Sequence, residues 1–493
     1  MFFYSLTTIA TAALLLPSVS LAHQCSKYSL PSQDEIRAAE KVPTGNPAKC
    51  LSGTKFFPQR VDHSSSDTSP NSTFLQQYEI HDQHFTPGGP IIYWQNPEQT
   101  YGCLNNTSGP AWADELGGMA ISLEQRYYGL STPPGLNYTE NTNWTNADMK
   151  YLTLENSLLD AVTFVEWIRC NYPGAKDSKV IVFGGSYPGF LTINFRVKYP
   201  DVFYGGLASS SVTRGLDVNI FSKYTFAWGN WASQVTSEIS ALAASRIKQA
   251  FVDIREMVKT GNVSGLQEAL HLCTPVKSAE QASIIPFGLF GLFTENIQNN
   301  RPSFGSPGSL TIETALNSSD SLEILGTITK AFILWNGYPS NCFPYEDQPR
   351  TLFSWIQCTY LPYSSPYSTE DSIFGAFLPD YSHPLSLDPT CLSGWNMTSN
   401  PGGPDYQRRI RVDQETIDTT ERLILSENTW DPVMSIGPDN IFPPFGTNGS
   451  RMYFISYTSH IEDILVDMPT DGVWLRNARK FYLETFKEWL GRV

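Results

Sequence analysis

The chain has 493 residues, of which 41% are hydrophobic and only 16% charged, and its net charge is −15. That acidic balance excludes nucleic acid as an expected partner. Its self-repulsion falls as carboxylates protonate, which suits an acidic working environment. The length fits about three domain equivalents, or one large domain carrying an insertion.

Residues 1–22 read as a signal peptide. Thr11 to Leu16 form a short apolar core, and Ser20-Leu21-Ala22 is a small-x-small cleavage site. The apolar run is too short to span a bilayer, and no later stretch is long and apolar enough, so no membrane association is expected after cleavage. The cysteines are Cys25, Cys50, Cys103, Cys170, Cys273, Cys342, Cys358 and Cys391, with no Cys-x-x-Cys among them. Behind a signal peptide this pattern favours disulfides over metal sites, and it leaves their pairing open. Glycosylation sequons begin at Asn71, Asn105, Asn106, Asn137, Asn143, Asn262, Asn317, Asn396 and Asn448. The expected location is secreted, with lysosome or vacuole as the alternative.

Pro90–Trp94 and Met119–Glu124 read as buried strands, and Leu152–Ile168 as a helix ending near Cys170. Lys179–Phe183 is the next strand, Phe190–Tyr199 a helix stopped by Pro200, and Tyr204–Ser211 another strand. This alternation predicts a parallel α/β sheet. The pattern changes near residue 215. Residues 220–260 are mostly helical, while 285–310 and 335–410 are rich in Gly, Pro, Ser and aromatics and fit no simple element. Strands resume at Arg422–Ser426 and Met452–Ser456, and Trp474–Leu490 reads as a final helix. The expected organisation is a first α/β part at 23–214, a helical insertion at 215–410 and a second α/β part at 411–493.

The most informative segment is Gly184-Gly185-Ser186-Tyr187-Pro188-Gly189, between a strand and a helix. A serine that attacks a carbonyl must stand proud of a sheet at a sharp turn, and only small neighbours permit that turn. The usual pattern is Gly-x-Ser-x-Gly, so Pro188 stands where glycine is expected. On this segment alone, an ordinary strand-to-helix turn is an equal reading. A serine nucleophile needs a base, and in this layout the order is serine, acid, histidine. Only His271, His383 and His460 follow Ser186. His460 comes just after a strand, where a loop emerges at the active edge, and is the best placed. The acid should follow the 422–426 strand. Asp431 and Glu427 both qualify, with a slight edge to Asp431, although Asp before Pro is often a turn former. The backbone N–H of Tyr187 is one expected oxyanion donor, and the Asn96 or Glu98 region after the 90–94 strand is the other.

With these residues assembled, the chain resembles the prolyl carboxypeptidase and dipeptidyl-peptidase II family of serine peptidases. The resemblance runs through Gln59–His63, Thr73–Tyr78, Glu124–Gly129, Tyr151–Asp160, Gly184–Tyr187, Asp431-Pro432 and His460–Asp463. It implies an α/β-hydrolase fold with a mostly helical cap. It also implies Ser186 as nucleophile, His460 as base and Asp431 as orienting acid; the sequence shows no metal cluster, phosphate-binding glycine loop or dinucleotide fingerprint, so no cofactor and no metal are expected. The implied activity is exopeptidase cleavage on the carboxyl side of proline at acidic pH, as a carboxypeptidase or a dipeptidyl peptidase. Proline-containing peptides are the implied partners, and a homodimer is left open. Glu98, Trp430 and Val433 are the candidate pocket residues, with Trp335, Trp355 and Tyr360 as further aromatics from the insertion. The chain departs from the family pattern at Val433, where tryptophan is usual, at Pro188, at Glu427-Asn428, and at the 95–98 loop. These departures support peptidase chemistry more than strict proline preference. An esterase or lipase, or an inactive hydrolase-fold binding protein, are the competing readings.

Overall fold

A computed structural model describes residues 30–41, 50, 55–67, 69, 72–99, 102–136, 144–214, 224–301, 306–336, 341–345, 351–361, 367–378, 391, 394–397, 412–438 and 450–492. The 1–22 segment, Cys25, His383 and the sequons at Asn71, Asn137, Asn143 and Asn448 lie outside these residues.

After a capped helix α1 (Gln33–Ala39) come strands β1 (Lys55–Arg60), β2 (Thr73–His81) and β3 (Ile91–Gln95), helix α2 (Gly109–Glu115) and β4 (Met119–Leu123). Next are α3 (Leu154–Asn171), β5 (Val180–Gly185), α4 (Tyr187–Lys198) and β6 (Gly205–Ser209). Helices then take over: α5 (Ala227–Ile239), α6 (Ala241–Thr260), the short α7 (Leu266–Ala269) and α8 (Ala279–Ala282), α9 (Ile285–Gln298), α10 (Pro307–Asn317), α11 (Ser321–Asn336) and α12 (Leu352–Thr359). The chain returns through α13 (Gln414–Thr419), β7 (Leu423–Asn428), β8 (Arg451–Ile455) and α14 (Val473–Trp489).

The strands form one sheet in the order β1-β2-β4-β3-β5-β6-β7-β8. β1 and β2 pair antiparallel with their neighbours, and β4 through β8 run parallel. The central strands β3, β4, β5 and β6 are buried along their whole length, as strands covered by helices on both faces must be. This is the α/β-hydrolase fold, with helices α5 to α12 inserted between β6 and β7. The chain moves outward from β3 to β4 and then crosses back to β5. The carboxyl ends of β3 and β5 therefore flank the switch point, where a crevice opens in such sheets.

The parallel strands follow the sequence pattern closely. β1 and β2 do not announce themselves, since β1 contains Pro58. Proline is tolerated there because β1 lies at the sheet edge and pairs only with β2. The 285–310 stretch, unreadable in sequence, is largely α9 and the start of α10. Pro286 and Pro307 sit in the first turns of these helices, where a missing N–H costs nothing. Much of the insertion has a core of its own, built from α5, α6, α9, α10 and α11 with Ile373 and Phe374. Helix α12 packs elsewhere: Leu352, Trp355, Ile356 and Tyr360 join the core under the sheet with α3 and α4.

Four of the sequence motifs converge on one buried carboxylate, Asp160 on α3. Arg126 grips it with Nε at 2.7 Å and Nη2 at 2.5 Å. His63 Nε2 lies 2.8 Å from Oδ1, and Gln76 Nε2 donates to Oδ2 at 3.2 Å. Gln59 donates to the Asp160 carbonyl at 3.1 Å. The same guanidinium also donates to the carbonyls of Arg60, Val61 and Tyr151. This cluster ties the end of β1, β2, the turn after β4 and the start of α3 together. A buried carboxylate stripped of its cation is strongly destabilising. Arg126→Met is therefore expected to cost about 3–5 kcal/mol, read as a lower guanidinium unfolding midpoint. A midpoint equal to that of the parent would show that His63 and Gln76 suffice to hold Asp160.

Candidate active site

Ser186 stands between β5 and α4 with φ 63° and ψ −127°, a conformation side chains rarely adopt. Holding it costs on the order of 1–3 kcal/mol and needs surroundings that over-determine it. Those surroundings are specific. The Ser186 N–H donates to the Ser209 carbonyl at 2.9 Å, and the Ser186 carbonyl accepts from Phe190 at 3.0 Å. A Cβ on Gly185 would lie 2.3 Å from Cγ2 of Ile461, so only glycine lets the His460 loop come this close. A Cβ on Gly189 would lie 2.8 Å from the Ser209 carbonyl. The close helix-to-strand approach thus falls at Gly189, one residue later than the usual pattern. Pro188 occupies the second position of α4, where no N–H is needed. It is compatible with the elbow.

His460 lies on the loop after β8 and is buried, as is Asp431 after β7. His460 Nδ1 lies 2.6 Å from Asp431 Oδ2. The other oxygen, Oδ1, accepts the N–H of Val433 at 3.0 Å and so caps the turn Pro432–Ile436. Asp431 thus uses one oxygen to cap a turn and presents the other to the His460 imidazole. Glu427 does not share in this. It is fully buried, both its oxygens lack a hydrogen-bond partner, and burial with Asp431 nearby pushes its carboxyl well above the usual range. His271 is exposed on the insertion with φ 51°, away from this pair.

The His460 loop is fastened from both sides. Asp463 accepts from Ser209 Oγ (2.6 Å), Ser426 Oγ (2.5 Å), Asn428 Nδ2 (3.0 Å) and Tyr482 OH (2.8 Å), so one carboxylate joins β6, β7 and α14 beneath the loop. From the insertion, the carbonyl of Gln298 accepts the His460 N–H at 3.0 Å, and that of Asn300 accepts Ser459 Oγ. The H-x-x-D spacing marks Asp463 in sequence. Nothing in sequence marks Gln298 or Asn300, because the contact spans more than 150 residues.

The Tyr187 N–H opens helix α4, so it has no partner within the helix and is free to face a ligand. Its buried hydroxyl meets Tyr360 OH at 2.7 Å and Gln125 Nε2 at 3.2 Å. Asn96 donates its side-chain amide to the Gly102 carbonyl at 2.8 Å, which shapes the turn after β3. Glu98 is on that turn, within electrostatic reach of the Tyr187 hydroxyl. Its Oε2 is buried without a hydrogen-bond partner, and burial raises its carboxyl to about 7. Trp430 is half-buried, with its ring 5.6 Å from that of Tyr457, and packs against the insertion core. Val433 and Trp355 are buried in the core under the sheet, while Trp335 is exposed on α11.

Three disulfides are described, Cys50–Cys103, Cys273–Cys342 and Cys358–Cys391, and Cys170 is also disulfide-bonded. Among the described residues, the one group with metal-ligand spacing is Cys50, Glu79 and Cys103. Its two sulfurs are consumed by a disulfide, so these residues do not fit a metal ion. Among the described residues no helix is long and apolar enough to cross a membrane.

The bovine lysosomal Pro-X carboxypeptidase is 30% identical over 54% of this chain and 54% of its own length. The human lysosomal Pro-X carboxypeptidase is 32% identical over 48% of this chain and 47% of its own. The human thymus-specific serine protease is 27% identical over 55% and 52%. The matched region thus spans about half the length of these relatives. A family model, serine carboxypeptidase S28, matches residues 59–312, just over half of the chain, and includes the strained Ser186 elbow. The chain belongs to the serine carboxypeptidase S28 family of serine peptidases.

Proposed function

We propose that the protein is an exopeptidase that cleaves on the carboxyl side of proline, with Ser186, His460 and Asp431 as its catalytic triad. The observation that carries this reading is the buried His460–Asp431 pair, 2.6 Å apart, on a loop packed against the glycine that precedes a strained serine. With Nδ1–H donated to Asp431, Nε2 of His460 is the free lone pair. It takes the Ser186 proton as Oγ bonds to the scissile carbonyl carbon. The oxyanion is met by the Tyr187 N–H and by a donor from the 96–98 turn. His460 then returns the proton to the leaving nitrogen as the C–N bond breaks, giving an acyl-enzyme and the first product. Water, deprotonated by His460, hydrolyses the acyl-enzyme.

Residues 215–410 are proposed as the cap over this site, and Glu98 and Trp430 as residues of its substrate pocket, while Val433, buried in the core, is not placed to line it. Proline preference is carried over from the relatives' names, since proline's compact ring and missing N–H allow selection by shape. Secretion, or delivery to an acidic lysosome or vacuole, fits the N-terminal segment and the relatives named lysosomal.

A fluorophosphonate should label the wild type and not Ser186→Ala, and equal labelling of both would remove Ser186 from the mechanism. His460→Ala should lower kcat by roughly 10⁴–10⁶-fold in a folded protein. Asp431→Asn should cost about 10⁴-fold, because it favours the wrong imidazole tautomer. Glu427→Gln should change turnover by less than about tenfold. The reverse order between these two acids would show that Glu427 is the orienting one. Peptides with proline penultimate from each end decide between carboxypeptidase and dipeptidyl peptidase.

Acid stability has its own signature. Burial raises Glu98 and Glu295 to about 7, and also pushes Glu427 and Glu462 upward. Between pH ~4.5 and ~7 the folded chain therefore keeps protons that the unfolded chain has released. Stability from these groups is complete in acid and is lost as pH rises through that window. The thermal midpoint should be higher at about pH 5 than at about pH 7.5, and Glu295→Gln should narrow the gap. A midpoint that rises with pH would contradict this assignment of neutral buried acids.

A further inference from the structure

Arg301 follows directly on the backbone that hooks the insertion to the active-site loop, where Gln298 and Asn300 accept hydrogen bonds from His460 and Ser459. Its guanidinium lies within electrostatic reach of Glu462 and Asp431, in a position that burial disfavours for a cation. Yet it is poorly satisfied. Its one hydrogen bond among the described residues is a 3.5 Å contact to Asn299 Oδ1, and its Nε is buried without a partner. Other arginines here with a buried unpartnered nitrogen are compensated. Arg169 pairs with Glu166, Arg196 donates to the carbonyls of Phe203 and Glu421, and Arg255 lies over the Phe377 ring. A desolvated cation left with unused N–H groups is set up for an anion that arrives from outside.

The chemistry says which anion. His460 protonates the leaving nitrogen, so the leaving residue must lie on the His460 side of Ser186. Arg301 is on that side. In a carboxypeptidase the leaving residue carries a free α-carboxylate, the planar anion that a guanidinium binds through two parallel hydrogen bonds. We propose that Arg301 binds the α-carboxylate of the substrate's C-terminal residue and thereby selects free C-termini over amides and longer chains. This rests on the proposed triad and commits that site to carboxypeptidase action.

The test separates binding from turnover. N-acetyl-Ala-Pro-Phe and its C-terminal amide are titrated by calorimetry into Ser186→Ala, which holds substrate without cleaving it. The acid should bind on the order of 10–100-fold more tightly than the amide, the worth of one charge-assisted pair. Adding Arg301→Gln should abolish that preference while leaving amide affinity unchanged, and Arg301→Lys should keep part of it. With Ser186 restored, Arg301→Gln should raise KM for the acid by a similar factor at near-constant kcat, with fluorophosphonate labelling unaltered. Acid and amide bound alike by the Arg301-containing protein would overturn the proposal, whatever the variants do. So would an acid preference that survives Arg301→Gln, or an equal loss on acid and amide, which would make Arg301 a positioning residue acting through Asp431. A wild type that binds the acid selectively yet takes no fluorophosphonate would instead remove the triad and leave the carboxylate site standing.

Discussion

The backbone at Ser186 sits at φ 63°, and the layout of the site follows from making that conformation tolerable. The turn must be pinned, and it is, by the bond from its N–H to Ser209 on the neighbouring strand. The flanking chain must pass close by, which is why Gly185 faces Ile461 and Gly189 faces β6. Because Gly185 touches the residue after His460, the same lack of a side chain that permits the turn also brings the loop bearing His460 to the serine.

Four acids near the crevice, three of them buried and Glu98 partly so, share a chemical type and differ entirely in state. Asp431 has a partner for each oxygen, an imidazole and a backbone N–H. Asp463 accepts four hydrogen bonds and locks three elements together beneath the His460 loop. Glu427 has neither, and burial with Asp431 nearby pushes its carboxyl well above the usual range. Glu98 on the β3 turn has its carboxyl raised to about 7 by burial. Environment, not residue identity, assigns these roles.

The insertion is joined to the site through backbone carbonyls. Gln298 and Asn300 hold the His460 loop from above, while Asp463 holds it from below. Substitutions within α9 are thus coupled to His460 through the backbone. Helix α12 adds a second tie, since Tyr360 reaches the hydroxyl of Tyr187, the residue after Ser186.

Local patterns in the sequence were enough for the parallel strands, the helices around them, the Ser186 turn and the place of His460 after a strand. Each of these depends on residues close in the chain: an apolar run ending in glycines, or a histidine just past a strand. The motifs at 59–63, 73–78, 124–129 and 151–160 were also visible, but only as family marks. That they meet at Asp160 is a property of packing. Likewise, composition left Asp431 and Glu427 as rivals, and only the folded chain gives one of them a histidine and a backbone N–H. Arg301 was silent in sequence altogether. Its unpartnered Nε–H exists because distant segments bring it near Glu462 and Asp431, and desolvation and long-range proximity are decided by tertiary structure alone.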